Sequence, residues 1–456
     1  MLSQILISPL QWFRRASLAL RLAVLIGVFQ VAIVLFATIA VFALGEFAVL
    51  QLWWSPGKIL TLFALFIAVP VLVHRATLLW CEHSPTRWSD ITVAWSAAVS
   101  DLKRHGIDPE EWPIFLVLGT NGDARESALL NTSGAPLLVS GSPGRGTTLH
   151  VYASADAIYV CLNSIGQLGA AAAARRGMGD AQGIAKSLQD EVSRLDAFCD
   201  LLLRERAPYV PCNGFLVVLP LDLEHRSSKA ISALGDALAA DLHRLTRRLH
   251  VRAPAVFLGT GLEHEAGVTE FFEILASKQQ PQVNADKTVS KPTGRESARG
   301  GMFPVGIQPT PAHLAAVAAH AVGPLTDEIA ELLLDPDSQA EQWTRIRLLK
   351  MLCRLRLYGA VQLDEMLGKV FAAELSEDYM PLLAGAFTGS LSEDQDRQGF
   401  LRGVLSFQVD QQAELEWNRP RVEADTRARS ASRVLFASAL FLLVAAVGML
   451  WWRLFA

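Results

Sequence analysis

Three stretches of the chain are almost wholly apolar. From Leu22 to Leu44 no residue is charged, and the one amide is Gln30. From Ile59 to Val73 the run is apolar apart from Thr61; His74 and Arg75 interrupt it, and it resumes from Ala76 to Trp80. From Val434 to Trp452 nothing is charged and only Ser438 carries a hydroxyl. About 18 such residues suffice to cross a hydrocarbon core about 30 Å thick. The pattern therefore predicts three membrane-spanning helices, with a re-entrant or interfacial helix as the alternative for the second. The first run is too long for a cleaved signal peptide and lacks a small-residue cleavage pattern.

Lys and Arg set the expected orientation. Arg14, Arg15 and Arg21 precede the first span, and Glu46 and Lys58 lie between the first and second. Arg75 and Arg87 follow the second. Arg419, Arg421, Arg427, Arg429 and Arg433 crowd the start of the third, with Arg453 beyond it. The N-terminus and the region from about His83 to Arg433 are then cytoplasmic, and the C-terminus lies outside. Trp53, Trp54, Trp80, Trp88, Trp451 and Trp452 fall at the expected interfaces, as an aromatic belt does.

Between the spans, Trp112 to about Ser277 alternates strand and helix patterns. Ile114–Leu118, Phe215–Leu219 and Ala255–Leu258 are continuous apolar runs, and Thr147–Tyr152 and Ala157–Leu162 are β-rich and read as paired. Leu188, Val192, Leu195, Phe198 and Leu202 recur at helical spacing, as do Ile231, Leu234, Leu238, Leu242, Leu245 and Leu249. Continuous strands alternating with amphipathic helices predict a parallel sheet covered on both faces. From Lys278 to Gly301 polar residues, Pro and Gly dominate, which predicts a linker. From Pro311 to about Trp417 the pattern reads as a small all-α domain. The expected organisation is two spans in 1–82, an α/β domain in 83–277, a linker in 278–305, a helical domain in 306–432 and a last span in 433–456.

Composition adds a few bounds. Apolar residues make up 51% of the chain and the net charge is −4, so membrane lipid is an expected partner and nucleic acid is not. The five cysteines have no metal-ligand spacing and read as reduced, mostly buried thiols.

The candidate chemistry lies after the first strand. The turn runs Gly119-Thr120-Asn121-Gly122-Asp123-Ala124-Arg125-Glu126-Ser127. A phosphate-binding loop needs G-x-x-x-x-G-K-[ST] between a strand and a helix. Its glycines let backbone N–H groups wrap phosphates, its Lys reaches the terminal phosphates and its hydroxyl binds Mg²⁺. Here strand, turn and helix are in order. Ala124 replaces the second glycine, Arg125 the lysine and Glu126 the hydroxyl residue, whose carboxylate would repel a nucleotide. An ordinary turn is the plainer reading. A second glycine-rich segment, Gly141–Thr148, has Thr147 in the lysine position and reads as a flexible loop.

The segment Trp112–Leu137, with this turn inside it, resembles the corresponding stretch of the IcmF/TssM proteins of bacterial type VI secretion systems, which have relatives in type IVB secretion. Pro211–Leu223, Ala253–Phe272 and, more loosely, Phe400–Val404 resemble later elements of the family in the same order. The resemblance implies a P-loop NTPase-like cytoplasmic domain between membrane spans. It also implies an oligomeric assembly with a small membrane-anchored subunit of the TssL/DotU kind. Two further positions depart from the family pattern. Asn163-Ser164-Ile165-Gly166 stands where a metal-orienting acid is usual, and Thr260-Gly261-Leu262-Glu263 stands where a base-reading T-K-x-D is usual. Losses at the second glycine, the lysine, the hydroxyl, the metal acid and the base-reading lysine remove most of what phosphoryl transfer requires. The domain is therefore expected to be a pseudo-NTPase without cofactor, in a non-enzymatic scaffold subunit of the inner membrane. A membrane-anchored GTPase or ATPase using Mg²⁺, and a regulatory membrane protein outside secretion, are the alternatives. Family members usually continue past the last span into a large periplasmic region; this chain stops at Ala456, so a shortened form is expected.

Weaker signals have plainer readings. Glu263, His264 and Glu265 read as a solvated turn and not as a metal site. Arg244, Arg247 and Arg248 read as a solvated helix face, with a docking surface as the alternative.

Overall fold

The computed structural model describes residues 18–44 and 56–82. From Trp88 to Val434 it describes all but 172–180, 225–228, 279–294, 336–340, 373–375 and isolated positions that include Asn121, Asn163 and Ser164. The chain divides into two units, one of 1–87 with 422–456 and one of Trp88–Arg421.

The first unit contains helices α1 (Leu18–Leu44) and α2 (Pro56–Glu82), which pack on each other. Within α1, Leu20–Val41 is long and apolar enough to cross a membrane, with a mean hydropathy of 2.7. The apolar run in α2 is shorter, Phe63–Thr77. The hydroxyls of Thr38 and Thr77 donate to the carbonyls of Val34 and Val73, each at 2.7 Å. In lipid, polar groups must be satisfied within the helix in this way. The third expected span lies, beyond Val434, outside the described residues.

The second unit is built on one eight-stranded sheet. In chain order the strands are β1 (Ile114–Leu118), β2 (Leu137–Ser142), β3 (His150–Ser154), β4 (Ile158–Leu162), β5 (Gly214–Pro220), β6 (Val251–Arg252), β7 (Pro254–Thr260), β8 (Arg299–Met302), β9 (Leu382–Thr388) and β10 (Glu416–Trp417). The sheet order is β2-β3-β4-β1-β5-β7-β9-β8, with β6 and β10 forming a separate two-stranded ribbon. The run β4-β1-β5-β7-β9 is parallel throughout. Strands β3, β2 and β8 are antiparallel to their inner neighbours.

Helices cover both faces of this sheet, which explains the continuous apolar strands. In chain order they are α3 (Ser89–Arg104), α4 (Asp123–Thr132), α5 (Ala181–Arg206), α6 (Lys229–Leu249), α7 (Val268–Lys278), α8 (Pro311–Leu334), α9 (Gln342–Arg354), α10 (Ala360–Val370) and α11 (Val404–Asp410). Side chains of β1 alternate between the two layers. Ile114, Leu116 and Leu118 join the larger core with α3, α5, α6, α8 and α10. Phe115 and Val117 join the smaller core with Leu129 and Leu130 of α4 and Val404 and Leu405 of α11. After β1 the chain moves to one side, reaching β4, and then returns past β1 to β5. The turn after β1 therefore sits at a topological switch point, where open α/β sheets form crevices.

The expected helical domain at 306–432 is not separate. Its segment Leu382–Thr388 is β9, buried at every position and paired with β7. The end of the expected linker forms β8, the antiparallel edge. The C-terminal segment thus completes the sheet that the N-terminal segment begins. The expected solvated arginine face is exposed at Arg247 and Arg248, but two of its arginines are engaged. Arg244 and Arg248 of α6 each grip the Asp196 carboxylate of α5 through two nitrogens, at 2.7–3.0 Å. The Arg247 guanidinium lies 5.8 Å from the Tyr379 ring centroid.

Burial pushes the Asp196 carboxyl up, but the two guanidinium partners outweigh it and hold the group at about 2. That lies below the value near 3.9 expected for an unfolded Asp. The contribution is therefore present above about pH 4 and is lost as pH falls through about 2. Asp196→Asn is expected to lower stability by about 1 kcal/mol at pH 7, after discounting for solvent at the arginines. Melting curves of variant and parent should converge toward pH 2.

Candidate functional site

Strand β1 ends against its neighbour so closely that a side chain at Gly119 is impossible. A Cβ there would stand 2.1 Å from the Val218 carbonyl oxygen, and φ is +83°. The turn then lifts the chain to Asp123, where α4 begins. Asp123 and Glu126 lie in the first helical turn, where the helix dipole favours acids, and three residues apart they share a helix face.

Glu126 points inward and is fully buried. One carboxylate oxygen accepts the Thr120 hydroxyl at 3.1 Å, and the other lies 2.7 Å from Nδ1 of His150, the first residue of β3. Nε2 of His150 is 2.9 Å from the Gly144 carbonyl. Both ring nitrogens thus face acceptors. The Glu126 hydrogen bond raises the His150 pKa, burial opposes this, and the charges of Glu126 and Asp123 add to the rise. One Asp123 oxygen is 3.8 Å from Nδ1, and the other accepts the Gly146 N–H at 2.9 Å. Of the segment Gly141–Thr148, expected to be a flexible loop, Gly141 and Ser142 end β2, and Gly144 and Gly146 bond to His150 and Asp123. Ser127 takes no part in this cluster; its hydroxyl meets Tyr152 at 3.2 Å.

Arg125 turns the other way. Its guanidinium pairs with Glu263, 138 residues later, and approaches the Leu391 carbonyl at 3.5 Å. Glu263 is buried just past β7. Its second oxygen accepts the N–H groups of Gly261 at 2.9 Å and Leu391 at 3.2 Å, and its carbonyl accepts from Arg397 at 3.0 Å. The Thr260 hydroxyl donates back to Leu219 at 3.3 Å. The solvated reading of Glu263-His264-Glu265 holds only for His264. Glu265 is buried and accepts from Arg354 at 3.0 Å.

Gly166 belongs to a third cluster. A Cβ at this glycine (φ +104°) would stand 2.6 Å from Asp241. Asp241, buried on α6, accepts the N–H groups of Gln167 and Leu168 at 2.9 and 2.7 Å. Burial raises its pKa to about 6, with those two N–H groups opposing. Asn163 lies outside the described residues. Cys161, Cys199 and Cys212 are buried free thiols, and Cys353 is exposed.

The structure thus brings Glu126 together with His150 and separately brings Arg125 to Glu263, while Gly119 lies against Val218 and Gly122 accepts the Glu126 N–H ahead of α4. Sequence reasoning did not find His150, Asp123 or Asp241. A signal existed for Asp241: it is an acid three residues after Leu238 on the apolar face of α6. None existed for His150, whose partner is 24 residues away, beyond the rest of α4 and strand β2. Chemically, two carboxylates and an imidazole converge where a phosphate loop would present backbone donors and a lysine. Asp123, Glu126 and His150 each bring one ligand atom within 4.8 Å of the others, a spacing compatible with a metal ion.

A family model described as IcmF-related N-terminal domain matches residues 189–444. No curated protein and no solved structure matches the chain.

Breaking the Arg125–Glu263 brace should cost stability. Glu263→Ala strands a part-buried guanidinium and two backbone N–H groups, and is expected to cost about 3 kcal/mol. The double variant Arg125→Ala/Glu263→Ala should lose less than the sum of the singles in a thermal-melting cycle; strict additivity would show that the two side chains do not interact.

Proposed function

The chain belongs to the IcmF-related family, and on that premise we propose that it is a non-enzymatic inner-membrane scaffold subunit of a type VI secretion-like envelope complex. Family membership associates the chain with secretion systems. The finer reading is that its large domain is a pseudo-NTPase, which keeps a nucleotide-binding architecture and uses it to present docking surfaces.

One observation carries this reading. The groups that replace the phosphate-loop lysine and hydroxyl are each committed to another side chain of the protein. Arg125 is paired with Glu263 and Glu126 with His150. Phosphoryl transfer depends on positioned cations and donors around the transferring group. A nucleotide entering this turn would meet the Glu126 and Asp123 carboxylates. It could recruit Arg125 only by leaving Glu263 buried without its counter-charge. The glycine turn, the parallel sheet and the switch-point position support an ancestral nucleotide site. The residues now in it do not fit Mg²⁺-nucleotide, and no catalytic step follows from them.

The membrane arrangement is part of the proposal. Two N-terminal spans and a C-terminal one would hold the large domain in the cytoplasm, supported by the apolar helix Leu20–Val41 and by the arginines flanking the apolar runs. The partner class is a small membrane-anchored subunit of the TssL/DotU kind, within an oligomer.

Co-expression with such a subunit from the same locus tests the scaffold reading. A complex of fixed mass is expected in detergent, unchanged by Mg²⁺-GTP, Mg²⁺-ATP or their non-hydrolysable analogues. Assembly that requires a nucleotide would instead favour a membrane-anchored NTPase. A reporter fused after Ala456 tests the topology: exported activity is expected, and a cytoplasmic signal contradicts three spans.

A further inference from the structure

We propose that Asp123, Glu126 and His150 form a binding site for a divalent transition-metal ion of the zinc class. An ion there would take Glu126 and His150 out of their mutual pairing and leave the Arg125–Glu263 pair, on which the scaffold reading also stands, untouched. Unlike the Mg²⁺ of a nucleotide complex, this ion would need no phosphate oxygen.

The donor set is the first argument. One imidazole nitrogen and two carboxylate oxygens lie within 4.8 Å of one another. Zn²⁺ binds such N and O donors at about 2.0–2.2 Å. A mixed imidazole and carboxylate set suits borderline ions such as Zn²⁺ and Co²⁺, whereas Ca²⁺ wants six or more oxygens and Mg²⁺ keeps several waters. Three protein ligands leave a position for water. Seating the ion asks the 2.7 Å spacing between Nδ1 and the Glu126 oxygen to open to about 3.3 Å, the separation of two ligands on a tetrahedral ion of that bond length.

The second argument is the surrounding shell. Metal-binding histidines and carboxylates are usually fixed by a partner on the atom that does not bind the metal. Each residue here has one. His150 Nε2 faces the Gly144 carbonyl, Glu126 accepts from Thr120 and Asp123 accepts from Gly146. Nε2 keeps its hydrogen bond to the Gly144 carbonyl, while Nδ1, which faces the Glu126 carboxylate, would give up its hydrogen to the ion.

Charge and access are the third. A divalent ion would take the place of the Nδ1 hydrogen as the positive partner of the two carboxylates. Glu126 and His150 are 0% and 2% exposed, while the Asp123 side chain is 30% exposed. The site is therefore enclosed on two sides and reachable on the third. Two ligands come from a helix and one from a strand, so an ion would stitch α4 to β3.

The full-length chain, stripped with EDTA in detergent, would be titrated with Zn²⁺ by calorimetry and with Co²⁺ by visible absorption. One saturable equivalent per chain, a Zn²⁺-dependent rise in melting temperature and Co²⁺ bands of N/O coordination are expected. Asp123→Asn and His150→Gln should each lose that equivalent. Thr120→Ala, which removes only an orienting hydroxyl, should weaken binding about 10–100-fold. His264→Ala, at an exposed histidine beside Glu263 and Glu265, should retain the equivalent. If His150→Gln does not fold, Asp123→Asn carries the test, because its side chain sits at the helix surface and changes little in size. No saturable Zn²⁺ binding, or the same stoichiometry in parent and Asp123→Asn, overturns the site and leaves His150–Glu126 as an internal ion pair.

Discussion

Glu263 is a buried carboxylate at the end of β7, and an isolated buried charge is among the costliest features a protein can carry. It is stable here because groups from three segments meet it. Arg125 supplies the counter-charge from α4, Gly261 and Leu391 supply backbone donors, and Arg397 closes on its carbonyl. Those contacts join the turn after β1, the end of β7 and the segment following β9. The C-terminal part of the sheet is thereby fixed to the loop where chemistry would occur, and Arg125 is held away from that loop.

In sequence, the departures from a phosphate-binding loop look like independent losses. In space, several are matched. The arginine at the lysine position pairs with the glutamate at the base-reading position. The glutamate at the hydroxyl position is met by a histidine from β3. Each new charge has a counter-charge close by, so the altered loop is a satisfied structure and not an exposed remnant. This favours a domain retained for its shape. On the proposed scaffold reading the domain needs a rigid body with a defined surface, and internal ion pairs in place of a ligand would make that body independent of nucleotide supply.

Much of this fold is legible in the sequence. Ile114–Leu118, Phe215–Leu219 and Ala255–Leu258 read as buried strands because both of their faces are covered. The heptad-like repeats of α5 and α6 read as helices because each buries a single stripe. The missed elements lack such signals. Strand β9 is Leu-Leu-Ala-Gly-Ala-Phe-Thr, rich in small residues and set among helical segments, so only its pairing between β7 and β8 reveals it. Strand β8 is Arg-Gly-Gly-Met, indistinguishable from the polar linker before it. Of the candidate site, the strand–turn–helix frame and the altered positions could be read from spacing. Their partners could not: Glu263 is 138 residues from Arg125, and long-range charge pairing leaves no local pattern.

On the proposed reading, internal pairing has replaced nucleotide at this loop. The most direct measurement is calorimetric titration of the full-length chain in detergent with Mg²⁺-GTP and Mg²⁺-ATP. No saturable binding is predicted up to low millimolar nucleotide. Micromolar binding that Arg125→Ala abolishes would contradict the account, because it would mean that Arg125 leaves Glu263 to hold phosphate.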